Sequence, residues 1–404
     1  MEFSWKMTKA FPLTFYPEIV KIRIASALQK NHELCSKTCK ERMHPMKKFI
    51  SILLALMLVL SLSSAAFADG SAFVSWYTFG DVYLTSVRNA LDDAFKAEGI
   101  AVTDKDSNGV QQTQIDDINT ALVTGADALV INLVDSGAIG TAQNLMDVAR
   151  AQDKPAVFFN RAVSTDNDEA AELFLGYEKT AFVGTNFEDA GKLEGKMIGE
   201  YLVENYDKVD LNGDGVISYV MFKGDEANQE AIARTKYAQE VADELLEAAG
   251  KPALKFYDDA NTNKYLVDLN GTWSNVASFE YLQTILAQYN EANNNMVELI
   301  ICNNDDMAIG AINALAQAGY NTGDEGATVI PVFGVDAVDA AKELIKEGRM
   351  TGTVLQDAVG MAKATATITN NLIKGVDKFE GLAENVVIVD DWFVQIPYAP
   401  YTGE

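Results

Sequence analysis

Between residues 73 and 355 the chain alternates two textures. Short, nearly unbroken apolar runs are followed by longer segments whose apolar residues return every third or fourth position. The first texture predicts strands buried on both faces, and the second predicts amphipathic helices. Strands are expected at Phe73–Tyr77, Ala128–Leu133 and Ala156–Phe159, and helices at Val82–Ala97, Gln111–Val123 and Ile139–Ala151. Gly99 and Gly125 follow two of these helices, where a residue tolerant of left-handed backbone closes the last turn. The pattern then restarts. A strand at Phe182–Gly184 leads to a helix at Gly191–Glu204, a strand at Val216–Phe222 and a helix at Ala231–Ala249. Leu254–Tyr257, Leu299–Cys302, Val329–Phe333 and Gly352–Leu355 read as further strands with helices between them. Continuous apolar strands alternating with helices predict parallel sheets covered on both faces. The expected fold class is α/β, with two doubly wound parallel-sheet domains. No low-complexity linker separates them, so several short crossovers and a cleft are expected.

Strand ends carry the polar signal. In parallel α/β sheets, ligands sit at the carboxyl ends of strands. Those ends here are Asn132, Asn303-Asn304-Asp305, Asp336 and Gln356-Asp357. Each residue type also favours helix N-caps, so any one position reads equally as a cap or as a ligand contact. Four strands ending this way favour ligand contact for the set.

The segment ahead of this pattern changes the picture. Met46-Lys47-Lys48 opens a basic stretch, 49–62 is almost wholly apolar, and Ala66-Phe67-Ala68 has the small-x-small form of a signal-peptidase site. Residues 46–68 read as a secretory signal peptide and 1–45 as an N-terminal extension foreign to the mature fold. The alternative is an uncleaved anchor, for which the apolar core is short. Both histidines, His32 and His44, and two of three cysteines, Cys35 and Cys39, precede residue 69. The remainder keeps Cys302 and no histidine. That excludes an intramolecular disulfide, a Ser-His-Asp triad and a histidine metal site in the mature chain. Residues 1–68 carry ten Lys/Arg and four Asp/Glu, so their removal takes the formal net charge from −26 to −32. Such a surface repels nucleic acid and anionic lipid and suits a cation or a neutral, hydroxyl-rich ligand.

One motif stands apart. Asp210-Leu211-Asn212-Gly213-Asp214-Gly215-Val216-Ile217-Ser218 has oxygen donors at positions 1, 3, 5 and 9, glycine at 6 and a usable carbonyl at 7. This is the start of an EF-hand calcium loop. Position 12 is Met221, which cannot bind a hard cation, so either the loop holds no calcium or a carboxylate arrives from elsewhere. The alternative is an Asx-turn with solvated charges.

Ile131-Asn132-Leu133-Val134-Asp135, Val157-Phe158-Phe159-Asn160, the Asp210–Ser218 loop, Asn303-Asn304-Asp305-Asp306-Met307-Ala308, Pro331-Val332-Phe333-Gly334-Val335-Asp336-Ala337, Gly352-Thr353-Val354-Leu355 and the terminal Gln395-Ile396-Pro397-Tyr398 together resemble the periplasmic D-galactose/D-glucose-binding proteins of bacterial sugar uptake. The resemblance implies a type I periplasmic binding fold that closes like a hinge on its ligand. Its lobes are expected over 69–160 plus 357–388 and over 161–356 plus 389–404. It implies a structural calcium site at Asp210, Asn212, Asp214, the Val216 carbonyl, Ser218 and, from a distant strand, Glu298. Ser218 departs from the family's glutamine. It implies sugar-binding residues Asp81, Tyr83, Asn132, Asn228, Glu230, Arg234, Trp273, Asn304, Asp336 and Gln356, with Tyr83 and Trp273 stacking on the sugar ring. Asn228, Glu230 and Gln356 depart from the best-known pattern, which has histidine, aspartate and asparagine there.

The implied partners are a monosaccharide, the membrane subunits of an ABC importer and, in some members, a chemoreceptor. A monomer outside the cytoplasmic membrane is expected, with no nucleic-acid partner. Two other readings use the same pocket: a chemosensory module, or a binder of a different monosaccharide. An enzyme of doubly wound fold is disfavoured. The chain has no Gly-x-Ser-x-Gly elbow and no phosphate loop, and Gly213-Asp214-Gly215 is too short for a dinucleotide fingerprint.

Overall fold

The structure, a computed structural model, describes residues 70–403. The extension over 1–45 and the signal segment over 46–68 lie outside the described residues. The first lobe is built from β1 (Gly70–Trp76), α1 (Val82–Glu98), β2 (Ile100–Asp106), α2 (Gln111–Thr124), β3 (Ala128–Ile131), α3 (Ile139–Ala151), β4 (Ala156–Phe159), α4 (Asn167–Leu175) and β5 (Thr180–Gly184). The second lobe follows with α5 (Phe187–Val209), β6 (Ser218–Lys223), α6 (Gln229–Ala248), β7 (Lys255–Phe256), β8 (Leu266–Val267), α7 (Asn275–Leu286), β9 (Leu299–Cys302), α8 (Asp305–Gln317), β10 (Val332–Asp336), α9 (Asp339–Lys346) and β11 (Gly352–Gln356). The chain returns through α10 (Ala358–Lys374), which packs on α1, and β12 (Val387–Val389) and β13 (Phe393–Gln395) join the first sheet. It ends with β14 (Tyr398–Tyr401) in the second sheet.

The sheet orders are β12-β13-β5-β4-β3-β1-β2 and β14-β11-β10-β9-β6-β7, with β8 also paired to β6. All pairings are parallel except β12 with β13 and β11 with β14. Central strands β3, β4 and β9 are buried at every residue, as expected where helices cover both faces. Separate apolar cores fill the two faces of each sheet. Gly99 and Gly125 close their helices at φ of 75° and 95°, the left-handed backbone that glycine adopts without strain.

Sheet membership corrects the expected lobe limits. β5 lies beyond residue 160 yet pairs with β4, and β13 lies beyond 388 yet pairs with β5. The crossovers therefore fall at 185–186, 357 and 396–397. The apolar run at β5 looks the same whether it closes one sheet or opens the next, and pairing partners decide which it does.

α5 and α6 set the wall behind the second sheet's ligand end. Gly191, Gly195 and Gly199 recur every fourth residue on α5. A Cβ at Gly191 would lie 2.7 Å from the Ala233 carbonyl, and one at Gly195 would lie 2.7 Å from that of Ala238. The two backbones approach as closely as they do because no side chain stands between them.

Candidate functional site

Nine of the ten expected sugar-binding residues line one cavity between the lobes: Asp81, Tyr83, Asn228, Glu230, Arg234, Trp273, Asn304, Asp336 and Gln356. They arrive from the ends of β10 and β11, from the starts of α1, α6 and α8 and, for Trp273, from the loop ahead of α7. Three of them are also N-caps. Asp81 accepts from the Leu84 amide at 2.8 Å, Asn228 from that of Ala231 at 3.1 Å and Asn304 from that of Met307 at 3.0 Å. Capping and pocket lining are therefore one arrangement here: the cap bond fixes the side chain at the cavity wall. Among the described residues the Asn304 amide nitrogen has no hydrogen-bond partner, its Oδ1 alone being engaged.

Arg234 organises the floor. It lies one turn into α6 and is buried. Its Nη1 donates to the Asn303 carbonyl at 2.8 Å, and its Nη2 donates to Gln356 Oε1 at 2.9 Å and to the Tyr398 hydroxyl at 3.3 Å. Asp336 Oδ1 stands 3.9 Å from Nη1. Two polar atoms of this wall are buried without a partner among the described residues: Arg234 Nε and Glu230 Oε2. Burial pushes the Glu230 carboxyl up against the pull of Arg234, and burial holds Asp336 well above the ordinary carboxylate range despite the same guanidinium. Burial works to lower the Arg234 pKa, but Tyr398, Asp336 and Glu230 more than offset it, so the guanidinium stays charged.

The aromatic pair comes from opposite lobes. Tyr83, on α1, is buried, and its hydroxyl donates to Met361 Sδ at 3.7 Å. The hydroxyl that this tyrosine adds is thus placed in the first lobe's core. Trp273 sits before α7 with φ of 57°, a conformation costly for a bulky residue. A Cβ at Gly224 would lie 2.1 Å from the indole, so the absence of a side chain there admits the ring.

Asn132 departs from expectation. Its Oδ1 accepts from the Tyr77 amide at 3.2 Å, and its Nδ2 donates to the Phe159 carbonyl and to Asn160 Oδ1 at 3.3 and 3.2 Å. It ties β1, β3 and β4 together behind the cavity wall. The cavity takes Asn160 and Arg161 instead, two residues that sequence reasoning missed. The strand-end rule that singled out Asn132 applies equally at the end of β4. Arg161 Nε donates to the Leu133 carbonyl at 2.7 Å and Nη2 to that of Val134 at 3.1 Å, and the guanidinium lies 4.1 Å from the centre of the Tyr77 ring. A larger cleft of about 990 Å³ shares Asp81 and Arg161 with this cavity and is lined by both lobes, including Tyr77, Asp268 and Gly271.

The calcium-like loop joins α5 to β6. Asp210 accepts from the Asp214 and Gly215 amides at 3.1 and 2.9 Å, Asn212 from that of Asp214 at 2.9 Å, and Asp214 from that of Val216 at 2.9 Å. Glu298, 86 residues away from Asn212 in sequence, reaches the loop from the start of β9. Its oxygens accept from the Asn212 and Ser218 amides at 3.1 and 3.0 Å. Burial raises its pKa, and these amides pull the other way. The Ser218 hydroxyl donates to the Met296 carbonyl, in the segment that leads into β9. Among the described residues no group of three or more His, Cys, Asp or Glu side chains is gathered as a ready metal cluster. Cys302 is a buried free thiol.

Residues 72–377 match the family model described as a periplasmic binding protein domain. The chain is 33% identical over 346 residues to the D-galactose/methyl-galactoside binding periplasmic protein of Haemophilus influenzae, covering 85% of this chain and 93% of that protein. Among solved structures it is similar to an ABC transporter solute binding protein from Bacillus halodurans with bound myo-inositol, at TM-score 0.61 and 20% identity over 84% of this chain and 96% of that one. It is also similar to one from Clostridium phytofermentans with bound β-D-glucose, at TM-score 0.62 and 17% identity over 82% and 94%. The two structural likenesses bear on the fold alone.

Proposed function

Because the chain belongs to the periplasmic binding protein domain family, whose members are transport-associated binding proteins and not enzymes, we propose that it captures D-galactose or D-glucose outside the cytoplasmic membrane and presents it to an ABC importer. The observation that carries this reading is the pair of orphaned buried atoms, Arg234 Nε and Glu230 Oε2. A buried polar group without a partner costs roughly 1–3 kcal/mol. Two such atoms in one cavity, with the Asn304 amide beside them, suit a neutral ligand that both accepts and donates along its edge. A hexose does this through vicinal hydroxyls. Tyr83 and Trp273, one from each lobe, supply apolar planes for the ring faces. Lobe closure is then driven by the sugar, since only the closed form offers both walls at once. The closed form of the monomer is what docks on the importer's membrane subunits.

The hexose identity rests on the Haemophilus relative, whose name specifies D-galactose and methyl-galactoside. A second reading, a different monosaccharide in the same cavity, is favoured by one observation. Asn132 is committed within the first lobe while Arg161 enters the wall, so the first lobe's donor pattern differs from the expected one. The structural calcium site is likewise proposed. Asp210, Asn212, Asp214, the Val216 carbonyl and Glu298 are hard oxygen donors of the kind calcium takes, and a bound ion would tie the α5–β6 loop to β9. Ser218 contributes through water or not at all.

Calorimetric titration of the purified protein with D-galactose, D-glucose and a panel of pentoses, other hexoses and cyclitols tests the reading. One-to-one saturable binding of galactose or glucose, tightest in the panel, is expected. Tighter binding of another panel member would replace the hexose assignment with the second reading, and no heat with any member would overturn both.

A further inference from the structure

The two lobes are joined covalently at the three crossovers, and across the open mouth they meet through a single polar contact. Tyr77, immediately after β1 in the first lobe, donates its hydroxyl to the Gly271 carbonyl in the second lobe at 3.0 Å. Among the described residues no other hydrogen bond or ion pair joins the lobes away from the crossovers. Thr185 with Tyr398, at 2.9 Å, lies at the crossovers themselves.

Both ends of this contact are held. On the first lobe, the Arg161 guanidinium lies over the Tyr77 ring, and two carbonyls fix the guanidinium in turn. The Tyr77 amide is held by Asn132. On the second lobe, the 268–274 loop is wound around one carboxylate. Asp268 accepts from the Asn270 amide at 2.9 Å, the Thr272 hydroxyl at 2.8 Å, the Ser274 amide at 3.1 Å and the Ser274 hydroxyl at 3.2 Å. Gly271 (φ 63°) and Trp273 (φ 57°) are the two left-handed residues of that loop. The carbonyl that Tyr77 grips is therefore two residues from the indole proposed to cover the sugar.

We propose that Tyr77 is a latch residue, whose bond to Gly271 holds the lobes closed and seats Trp273, and that it sets how long the ligand stays rather than how fast it enters. In the open state the hydroxyl and the carbonyl are apart and each faces water. The bond forms only after the ligand has been enclosed, so its loss changes the escape rate and leaves the encounter rate alone. The inference rests on the sugar-binding reading only for the ligand that reports it.

Tyr77→Phe removes the hydroxyl and keeps the ring on Arg161. Stopped-flow fluorescence with D-galactose and D-glucose should show the dissociation rate rising about three- to tenfold, as loss of one hydrogen bond predicts, with the association rate unchanged within about twofold. The melting temperature of the sugar-free protein should not move. Tyr77→Ala, which also strips the stack on Arg161, should raise the dissociation rate further. A dissociation rate equal to wild type in Tyr77→Phe overturns the latch. So does a slowed association together with a lowered melting temperature, which would mark Tyr77 as a purely structural residue. Should wild type bind neither hexose, the sugar reading fails, and the same two rates are then measured with whichever member of the titration panel binds; a dissociation rate in Tyr77→Phe equal to wild type for that ligand overturns the latch.

Discussion

At the scale of single residues, the cavity depends on side chains whose positions are over-determined by their neighbours. Trp273 is held by a strained backbone and by the space that Gly224 leaves. Trp273→Ala should weaken sugar binding by about 2–3 kcal/mol through lost contact area, read by calorimetry. Gly224→Ala places a methyl group inside the indole's volume and should reproduce most of that loss without touching the ligand. Unchanged affinity in either variant would remove the indole from the pocket. Sequence reasoning found these residues through resemblance and strand ends, and it did not separate Asn132 from Asn160 where two strand ends adjoin. Asn132 and Asn160 close adjacent strands, and their side chains bond each other. Asn160 lines the cavity and Asn132 does not, and nothing in the local sequence says which would. Arg161 was hidden for the same reason: a charged residue after a strand usually faces solvent, and this one is turned inward by two carbonyls.

At the scale of elements, the helix pair α5–α6 transmits backbone position to Arg234. A Cβ at Gly191 would lie 2.9 Å from the Arg234 Cα. Gly191→Ala should push α6 outward, lower the melting temperature and weaken sugar binding together, since overpacking costs roughly 1–3 kcal/mol. Affinity unchanged at a lowered melting temperature would separate the helix contact from the site. The α5–β6 loop makes a parallel case. Glu298→Ala should lower the melting temperature more in calcium than with a chelator, because the glutamate would then have lost an ion as well as two amides. Equal shifts in both conditions would sink the remote-glutamate site. Buried central strands were legible from sequence: β3, β4 and β9 are unbroken apolar runs. Edge and C-terminal strands were not, apart from β7, which falls within the expected Leu254–Tyr257 run. β2 reads Ile-Ala-Val-Thr-Asp-Lys-Asp and alternates like a solvated segment because one side of it has no neighbour. β12, β13 and β14 are three or four residues long, and such strands exist only through their pairing partners. That is also why the lobe limits shifted, since sheet membership is a long-range property.

At the scale of the whole molecule, the chain concentrates buried carboxyls around one guanidinium. Glu194 on α5 is 1% exposed, and neither of its oxygens has a partner among the described residues. Asp305 accepts from the Thr353 hydroxyl at 2.6 Å and from the Val338 amide at 2.9 Å. Burial pushes Asp305 up to about 7 and raises Glu194 and Asp336 well above their usual range. Arg234 lowers all three but cannot neutralise them all. A carboxyl whose pKa is higher folded than unfolded binds more protons in the native state between the two values. Its contribution is present at low pH and is lost as the pH climbs through the folded value. The carboxyls held low by partners, Asp127, Glu188, Glu226 and Asp268, act oppositely, but only as the pH falls through and below about 4. Between pH 5 and 7 the raised group therefore dominates, and the high negative charge of the surface reinforces it, because protonation relieves self-repulsion. Scanning calorimetry of sugar-free protein should show the melting temperature rising as the pH is lowered from 7 to 5. Glu194→Gln keeps the shape and removes the ionisable group, so its melting temperature should exceed that of wild type at pH 7 and depend less steeply on pH. A wild-type melting temperature that falls on mild acidification would mean that these carboxyls are ionised and paired in the folded protein, and the raised values would be wrong in sign.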